Sequence, residues 1–283
     1  SMDIKLIAID LDGTLLDDDC LFQEENRKWI RRAMKAGYLV VPTTGRSYQN
    51  ARYEIFKDFD ELPYYINANG TVVTDARTEK VLYTASFPRE IAREIYLLCR
   101  EYRTYIEPYA GRYAYMEQEG IDHLYRSGLP ISYCRQLMRT NILCDDMEKM
   151  IMEGEYPVSK FHIVCESSQE KERLKERIAS IPGLYPISVV AQNIEVVYEK
   201  KSKRDGLAFL SEFLGLTREN VMAIGDSSND MEMLEWAGCS VAMENSAPKV
   251  RQAAKYVTDT NNNDGVAKAL QRFLKIEKTG GME

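Results

Sequence analysis

Several features that would place a chain in a special class are missing from this sequence. No apolar run approaches the ~18 residues that a membrane-spanning helix needs, and the amino terminus has no basic segment followed by a leader-like apolar core. Charged residues make up 29% and hydrophobic residues 45% of the chain, which is typical of a folded globular protein. We therefore expect a cytoplasmic protein whose length allows about two domains of roughly 150 residues each.

The cysteines and the charge balance exclude further classes. The six cysteines show no C-x-x-C spacing, and we interpret them as reduced and structural. The net charge is −7 and no long basic run is present, so neither nucleic acid nor a membrane is expected as a partner. A small anionic substrate would need a metal ion or local positive charge beside it. The composition does not distinguish a monomer from a homodimer.

Alternating strand-like and helix-like segments predict a parallel sheet built from two separated pieces of chain. Up to about residue 82, "LIAI", "YLVVPTTG" and "YYINANG" have the apolar pattern of buried strands, and "TVVTDARTEKVLY" predicts a hairpin. The alternation resumes after residue 190 with "IEVVYE". Residues 83–190 differ in composition from the segments on either side and hold 11 of the 18 tyrosines. We predict an α/β protein with a Rossmann-like, doubly wound parallel-sheet core over residues 1–82 and 191–283, and an inserted α+β domain over 83–190.

Polar residues occur where the predicted strands end. Asp10 and Asp12 follow the first strand, two positions apart, and Asp12-Gly13 by itself would predict only a turn. In open α/β sheets, ligands bind outside the carboxyl ends of the strands. Other strand ends and helix starts bring further candidates to the same edge, namely Thr44, Lys203, Asp226 and Asp230.

These residue types suit phosphoryl transfer. Asp10 and Asp226 offer the hard oxygen ligands that Mg²⁺ prefers, and the metal would let an anionic carboxylate attack an anionic phosphorus. Lys203 would add positive charge and Thr44 a hydroxyl donor. Residues two apart on a strand point to the same side, so Asp12 can reach the leaving oxygen of a substrate whose phosphorus faces Asp10. Asp12 would protonate that oxygen and later activate water.

The ordered motifs resemble those of the haloacid dehalogenase superfamily of phosphatases. The matching segments are Asp10-Leu11-Asp12-Gly13-Thr14, Thr44-Gly45-Arg46, Lys203 and Gly225-Asp226-Ser227-Ser228-Asn229-Asp230. The large insertion resembles the type-two (C2B) cap of the Cof-like branch, as do Asn69-Gly70 and the segment "VAMENSAPKVRQAAKYVTDTNNNDGVAKAL". The chain departs from that branch at Arg204, where glycine is common.

The resemblance implies a Mg²⁺-dependent phosphatase with an aspartyl-phosphate intermediate. Asp10 would be the nucleophile and Asp12 the general acid and base. The ion would be held by the Asp10 carboxylate, the Asp12 backbone carbonyl and Asp226, with Asp230 as a further ligand or as support for one. The phosphate would be held by Thr44, Lys203 and Asn229. Sugar phosphates and other small phosphorylated metabolites are the expected substrates, and the cap would select among them.

Other interpretations remain open from the sequence. Taken singly, Thr44 is a strand-end residue, Lys203 a surface lysine and Asp230 a helix-start residue. The two histidines, His123 and His162, lie in the insertion and are better explained by packing. Phosphomutase or phosphonatase activity is an alternative within the superfamily. A non-hydrolytic phosphoacceptor or phosphate-binding protein is the alternative outside it, although pure binding would not need Asp12.

Overall fold

The computed structural model describes residues 3–276, so the first two and last seven residues of the predicted core segments 1–82 and 191–283 lie outside the described residues. In chain order, the strands are β1 (Leu6–Ile9), β2 (Leu39–Pro42), β3 (Tyr64–Asn67), β4 (Val72–Asp75), β5 (Lys80–Thr84), β6 (Thr104–Ala110), β7 (Tyr113–Glu117), β8 (Ile142–Cys144), β9 (Lys160–Cys165), β10 (Asn193–Val196), β11 (Val221–Gly225), β12 (Cys239–Met243) and β13 (Tyr256–Thr258). The helices are α1 (Glu24–Lys35), α2 (Tyr48–Asn50), α3 (Arg89–Cys99), α4 (Gln118–Arg126), α5 (Ile131–Thr140), α6 (Met147–Glu153), α7 (Ser168–Ala179), α8 (Lys203–Phe213), α9 (Met231–Trp236), α10 (Pro248–Ala253) and α11 (Gly265–Phe273).

Two compact units divide the chain. Within the described residues, the first unit comprises residues 3–45, 59–80 and 202–276. The second unit comprises residues 46–58 and 81–201.

A five-stranded parallel sheet forms the centre of the first unit, in the order β13-β12-β11-β1-β2. All four residues of β1 are buried, which a strand between two parallel neighbours requires. The sheet extends beyond β2 through a parallel bridge between Thr43 and Ile66, and β3 pairs antiparallel with β4. Helix α1 buries Trp29, Ile30 and Ala33 and packs on α11. The predicted α/β fold with a parallel core sheet is confirmed.

A second sheet, in the order β10-β9-β6-β7-β8, organises the second unit. Its strands pair antiparallel except for β7 with β8. Alternate residues of β6 and β9 point to opposite faces, so Ile106 and Ile163 belong to one apolar core and Tyr105 and Val164 to another. Helices α3, α6 and α7 contribute to the first core, and α4 and α5 contribute to the second.

The observed unit boundaries differ from those expected from the sequence. The sequence predicts that the strand in "IEVVYE" belongs to the core sheet, but β10 pairs antiparallel with β9, and the second unit continues to Lys201 instead of ending at residue 190. Residues 46–58 also group with the second unit, where Gln49 N donates to Arg112 O at 3.0 Å. An apolar pattern identifies a strand but not its partner, so the sheet to which β10 belongs was not determined by its sequence.

Candidate active site

Asp10 occupies the first position after β1, where the chain turns away from the sheet. Its backbone N–H still donates to Ile224 O of β11 at 3.0 Å, which fixes the start of the turn. Gly13, in that turn, has a φ of +78°, and a Cβ built there would lie 2.2 Å from Asp226 Oδ2. Only glycine fits this position, because it tolerates both the left-handed backbone and the close approach of the carboxylate. The turn after β1 therefore packs directly against the Asp226 carboxylate, in the loop after β11.

The loop after β11 is organised by Asp230. Its Oδ2 accepts hydrogen bonds from the backbone N–H groups of Asp226, at 2.9 Å, and Ser227, at 3.1 Å. The Ser227 hydroxyl donates to Asp226 Oδ2 at 2.9 Å. Asp230 is fully buried, whereas Asp226 is partly exposed. The Asp230 side chain thus fixes the loop that carries Asp226.

Lys203 begins helix α8 and reaches the same place from the other side. Ser202 caps the helix: its hydroxyl accepts from Arg204 N at 3.2 Å, and its own N–H donates to Asp205 Oδ2 at 2.8 Å. The Lys203 ammonium lies 2.9 Å from Asp10 Oδ1 and 2.6 Å from Asp230 Oδ1. Its side chain is 1% exposed. One lysine therefore bridges two of the predicted site carboxylates.

Burial and crowding of charge perturb these groups. Burial raises the pKa of the Asp10 carboxyl, the charges of Asp230 and Asp226 raise it further, and the Lys203 ammonium opposes them without cancelling them. For Lys203, burial alone would lower the pKa, but the charges of Asp10 and Asp230 outweigh it and raise the pKa. Lys203 is therefore a fixed cation, whereas burial and the neighbouring negative charges disfavour the ionised form of Asp10.

The donor set fits a divalent cation. Oxygens of Asp10, Asp226 and Asp230 lie within 4.8 Å of one another. Three carboxylates face one ammonium, which leaves an excess of negative charge that a divalent ion would offset. Carboxylate oxygens are the ligands that Mg²⁺ and Ca²⁺ take in proteins.

Thr14 belongs to the motif that begins at Asp10, and its side chain contacts two of the site carboxylates. Its hydroxyl lies 2.8 Å from Asp226 Oδ1 and 3.4 Å from Asp10 Oδ2, so its single hydrogen is directed at Asp226. It is fully buried. Its position four residues after Asp10, within the turn, was the signal available in the sequence.

The other predicted site residues lie on neighbouring elements. Asp12 is in the turn after β1 with an exposed side chain and is not part of the buried carboxylate group. Thr44 follows β2 and is 1% exposed; its N–H donates to Ile66 O and its carbonyl accepts from Asn69 N. Asn229 precedes Asp230, and its Oδ1 is buried with no hydrogen-bond donor among residues 3–276. The geometry joins Asp10, Lys203, Asp226 and Asp230 directly.

Each of the two histidines contacts a glutamate of the second unit. His123 Nδ1 lies 2.7 Å from Glu166 Oε2. His162 Nδ1 lies 3.2 Å from Glu107 Oε1, deep in the fold. Neither histidine belongs to the carboxylate group of Asp10, Asp226 and Asp230.

Comparisons with known proteins agree on one family. A family model described as haloacid dehalogenase-like hydrolase matches residues 7–270. The chain is 33% identical to the 5-amino-6-(5-phospho-D-ribitylamino)uracil phosphatase YcsE of Bacillus subtilis, over 96% of this chain and 97% of that protein. A haloacid dehalogenase-like hydrolase from Bacteroides thetaiotaomicron superimposes with a TM-score of 0.80 at 26% identity, covering 96% of this chain and 100% of that one.

A more distant structural neighbour shares the fold. The subclass IIB sugar phosphatase BT4131, whose structure was described within the same superfamily, superimposes with a TM-score of 0.75 at 21% identity and covers 95% of this chain and 98% of that one.

In the part of the chain that the structure describes, no helix combines the length and apolar character that crossing a bilayer requires.

Proposed function

The chain belongs to the haloacid dehalogenase-like hydrolases and is a phosphoric monoester hydrolase, and we propose that it hydrolyses small phosphorylated metabolites through an aspartyl-phosphate formed on Asp10. One observation carries the proposal. The Asp10 carboxylate is buried against the Lys203 ammonium, at 2.9 Å, and beside two further carboxylates. A nucleophile, a fixed cation and an acidic group suited to a metal ion meet at the end of β1.

Asp10 and Asp12 divide the chemistry between them. An Asp10 oxygen attacks phosphorus, the bond from phosphorus to the ester oxygen breaks, and Asp12 gives its proton to the departing alkoxide. Asp12, now a carboxylate, takes a proton from water as that water attacks the aspartyl-phosphate, which releases inorganic phosphate and restores Asp10. The exposed Asp12 side chain supports this role, because it must meet first a leaving group and then water.

The site residues hold the metal and the phosphate in different ways. The Mg²⁺ ligands would be the Asp10 carboxylate, the Asp12 carbonyl and Asp226. When bound, the ion would offset the negative charge of the site and of the phosphate. The oxygens of Asp230 accept from the Lys203 ammonium and from two backbone N–H groups, whereas those of Asp226 accept from the Thr14 and Ser227 hydroxyls, which can rotate away from an ion. We therefore assign Asp230 to orienting Lys203 and the Asp226 loop, not to direct ligation. Thr44, Lys203 and Asn229 would hold the transferred phosphate.

The substrate is proposed to be a phosphate monoester of a polyhydroxylated small molecule. The name of YcsE refers to a phosphorylated ribityl chain, and BT4131 is named a sugar phosphatase. Both names therefore refer to phosphate esters of polyhydroxylated molecules. We assign choice of the leaving group to the second unit, as the cap.

Hydrolysis of p-nitrophenyl phosphate tests the proposal. Release of p-nitrophenol by the purified protein is expected with Mg²⁺, and it should be lost with chelator and in Asp10→Asn. A panel of sugar and polyol phosphates, followed by release of inorganic phosphate, then identifies the substrate. A stable phosphoprotein without turnover would contradict the proposal and favour a phosphoacceptor.

A further inference from the structure

The turn after β3 has an uncommon backbone. Ala68, Asn69 and Gly70 are consecutive and have φ values of +50°, +58° and +91°. Left-handed conformations are unfavourable for residues with a Cβ and persist where surrounding structure fixes them, often at functional sites. The contacts of this turn show what fixes it.

On one side, the turn is bonded to the segment that carries Thr44. Asn69 N donates to Thr44 O at 3.1 Å, and Thr44 N donates to Ile66 O of β3 at 2.9 Å. Within the turn, the Thr71 hydroxyl donates to Ala68 O at 2.8 Å. The backbone of a proposed phosphate-binding residue is therefore held by the turn.

On the other side, the turn touches the start of α8. A Cβ built on Gly70 would lie 2.0 Å from Ser202 O and 2.5 Å from Lys203 Cα. A Cβ on Gly206, one helical turn later, would lie 2.6 Å from Gly70 O and 2.8 Å from Ile66 Cγ2. The two glycines let the backbones of the turn and the helix pack directly against each other.

We infer that the Ala68–Gly70 turn sets the position of the Lys203 ammonium relative to Thr44, and that Gly70 and Gly206 are positioning residues for phosphoryl transfer. The inference rests on the proposed function. A methyl group at Gly70 would force the turn or the start of α8 to move by about 1 Å, judged from the 2.0 Å approach to Ser202 O, and either movement changes the distance between Thr44 and Lys203. Lys203 has to satisfy Asp10 and Asp230 together, at 2.9 and 2.6 Å, and such a shift would break at least one contact.

The test compares Gly70→Ala with Gly215→Ala. Gly215 follows the same helix and also has a positive φ, +71°, but a Cβ there meets nothing within 4 Å. The control therefore introduces backbone strain without displacing α8. We expect kcat on p-nitrophenyl phosphate to fall about 100-fold in Gly70→Ala, the scale of a 1 Å misplacement, and to stay within about twofold of wild type in Gly215→Ala, where no reacting group moves.

Gly206→Ala provides a second variant in case Gly70→Ala does not fold. Gly206 lies inside α8, where alanine suits the helix, so any loss of kcat would come from contact with the turn or with Ile66 of β3, which leads into it. We expect a loss of about tenfold, because only part of a 1 Å displacement would be transmitted. Melting temperatures measured in chelator establish which variants are folded.

Binding of inorganic phosphate supplies a readout other than turnover. Its dissociation constant is measured by calorimetry for wild type, Gly70→Ala, Lys203→Met and the double variant. If Gly70 acts through Lys203, it should weaken binding in the wild-type background and add nothing in the Lys203→Met background. Equal weakening in both backgrounds would overturn the inference, as would equal kcat values for Gly70→Ala and Gly215→Ala. A wild-type protein that binds phosphate but hydrolyses no ester would contradict the proposed function alone.

Discussion

The ammonium of Lys203 lies 2.6 Å from Oδ1 of Asp230, and both side chains are fully buried. The same carboxylate uses Oδ2 to hold the backbone of the loop after β11. Asp230 therefore links the start of α8 to the loop that carries Asp226. A buried pair of this kind is costly to break from one side, because the remaining charge loses its partner.

Replacing Lys203 with methionine should destabilise the metal-free protein strongly. The carboxylates of Asp10 and Asp230 would lose the cation between them, and we expect the free energy of unfolding to fall by about 3 kcal/mol. Urea unfolding in chelator measures it. Lys268→Met is the control, since Lys268 pairs with Asp259 at a site where its side chain is 46% exposed, and such pairs contribute about 0–1 kcal/mol. Equal effects of the two substitutions would contradict the assigned role of the buried lysine.

Asp10→Asn should separate catalysis from stability. Loss of the nucleophile should lower kcat by at least about 1,000-fold. The folded-state pKa of Asp10 is raised above its usual 3.8, so the metal-free protein loses stability as pH rises from about 4 through the folded-state pKa. Asparagine removes that cost.

The melting temperature of Asp10→Asn in chelator at pH 7 should therefore exceed that of wild type. Asp122→Asn, at an exposed position of the second unit, should leave both kcat and melting temperature unchanged. A lower melting temperature for Asp10→Asn would show that the buried carboxylate stabilises the fold.

Asp12→Asn should slow turnover in a manner that depends on the leaving group. General acid catalysis contributes about 10²–10⁴-fold, and an alkoxide needs the proton more than p-nitrophenolate does. We expect a larger loss of kcat/KM for a sugar phosphate than for p-nitrophenyl phosphate, and a phosphorylated protein visible by mass spectrometry after acid quench. Equal losses for both substrates would argue against proton donation by Asp12.

The sequence predicted the parallel strands of the core sheet and the acidic motifs at their carboxyl ends, but it was wrong in assigning β10 to that sheet. β1 and β11 are continuous apolar runs that end in acidic motifs, and parallel strands place such ends together. The partner of β10 could not be predicted, because pairing depends on contacts distant in sequence. The contact between Gly70 and Ser202 could not be predicted either, because no sequence pattern around the two residues indicates that they are neighbours.

Magnesium should stabilise the protein through Asp226. A ligand that binds only the folded state at 100 times its dissociation constant adds about 2.7 kcal/mol, so the melting temperature should rise when Mg²⁺ replaces chelator. Asp226→Asn should abolish most of that rise, since it removes one ligand and part of the negative charge. Asp205→Asn should retain the Mg²⁺-dependent rise, because Asp205 accepts a hydrogen bond from Ser202 N at the start of α8 and lies outside the carboxylate group. A full Mg²⁺ response in Asp226→Asn would place the ion elsewhere.

Glu107 should make the stability of the protein depend on pH at the acidic end. This carboxylate is completely buried and accepts hydrogen bonds from Tyr105, Tyr109 and Asn141, each at 2.7 Å, with His162 Nδ1 at 3.2 Å. Burial by itself would raise the pKa of Glu107, but His162 and the two tyrosine hydroxyls outweigh burial and lower it. A lowered folded-state pKa stabilises the protein above the unfolded-state value, about 4.5, and that stabilisation is lost as pH falls further.

Glu107→Gln tests this dependence. At pH 7 it should lower the free energy of unfolding by about 3 kcal/mol, because the amide has one acceptor oxygen and leaves some of the buried donors unpaired. Urea unfolding followed by circular dichroism between pH 3 and 7 measures the slope. The variant should lose less stability than wild type as pH falls below about 4.5, whereas Glu119→Gln, whose carboxylate is exposed, should follow wild type. Parallel curves for wild type and Glu107→Gln would show that Glu107 is not the group whose protonation destabilises the fold.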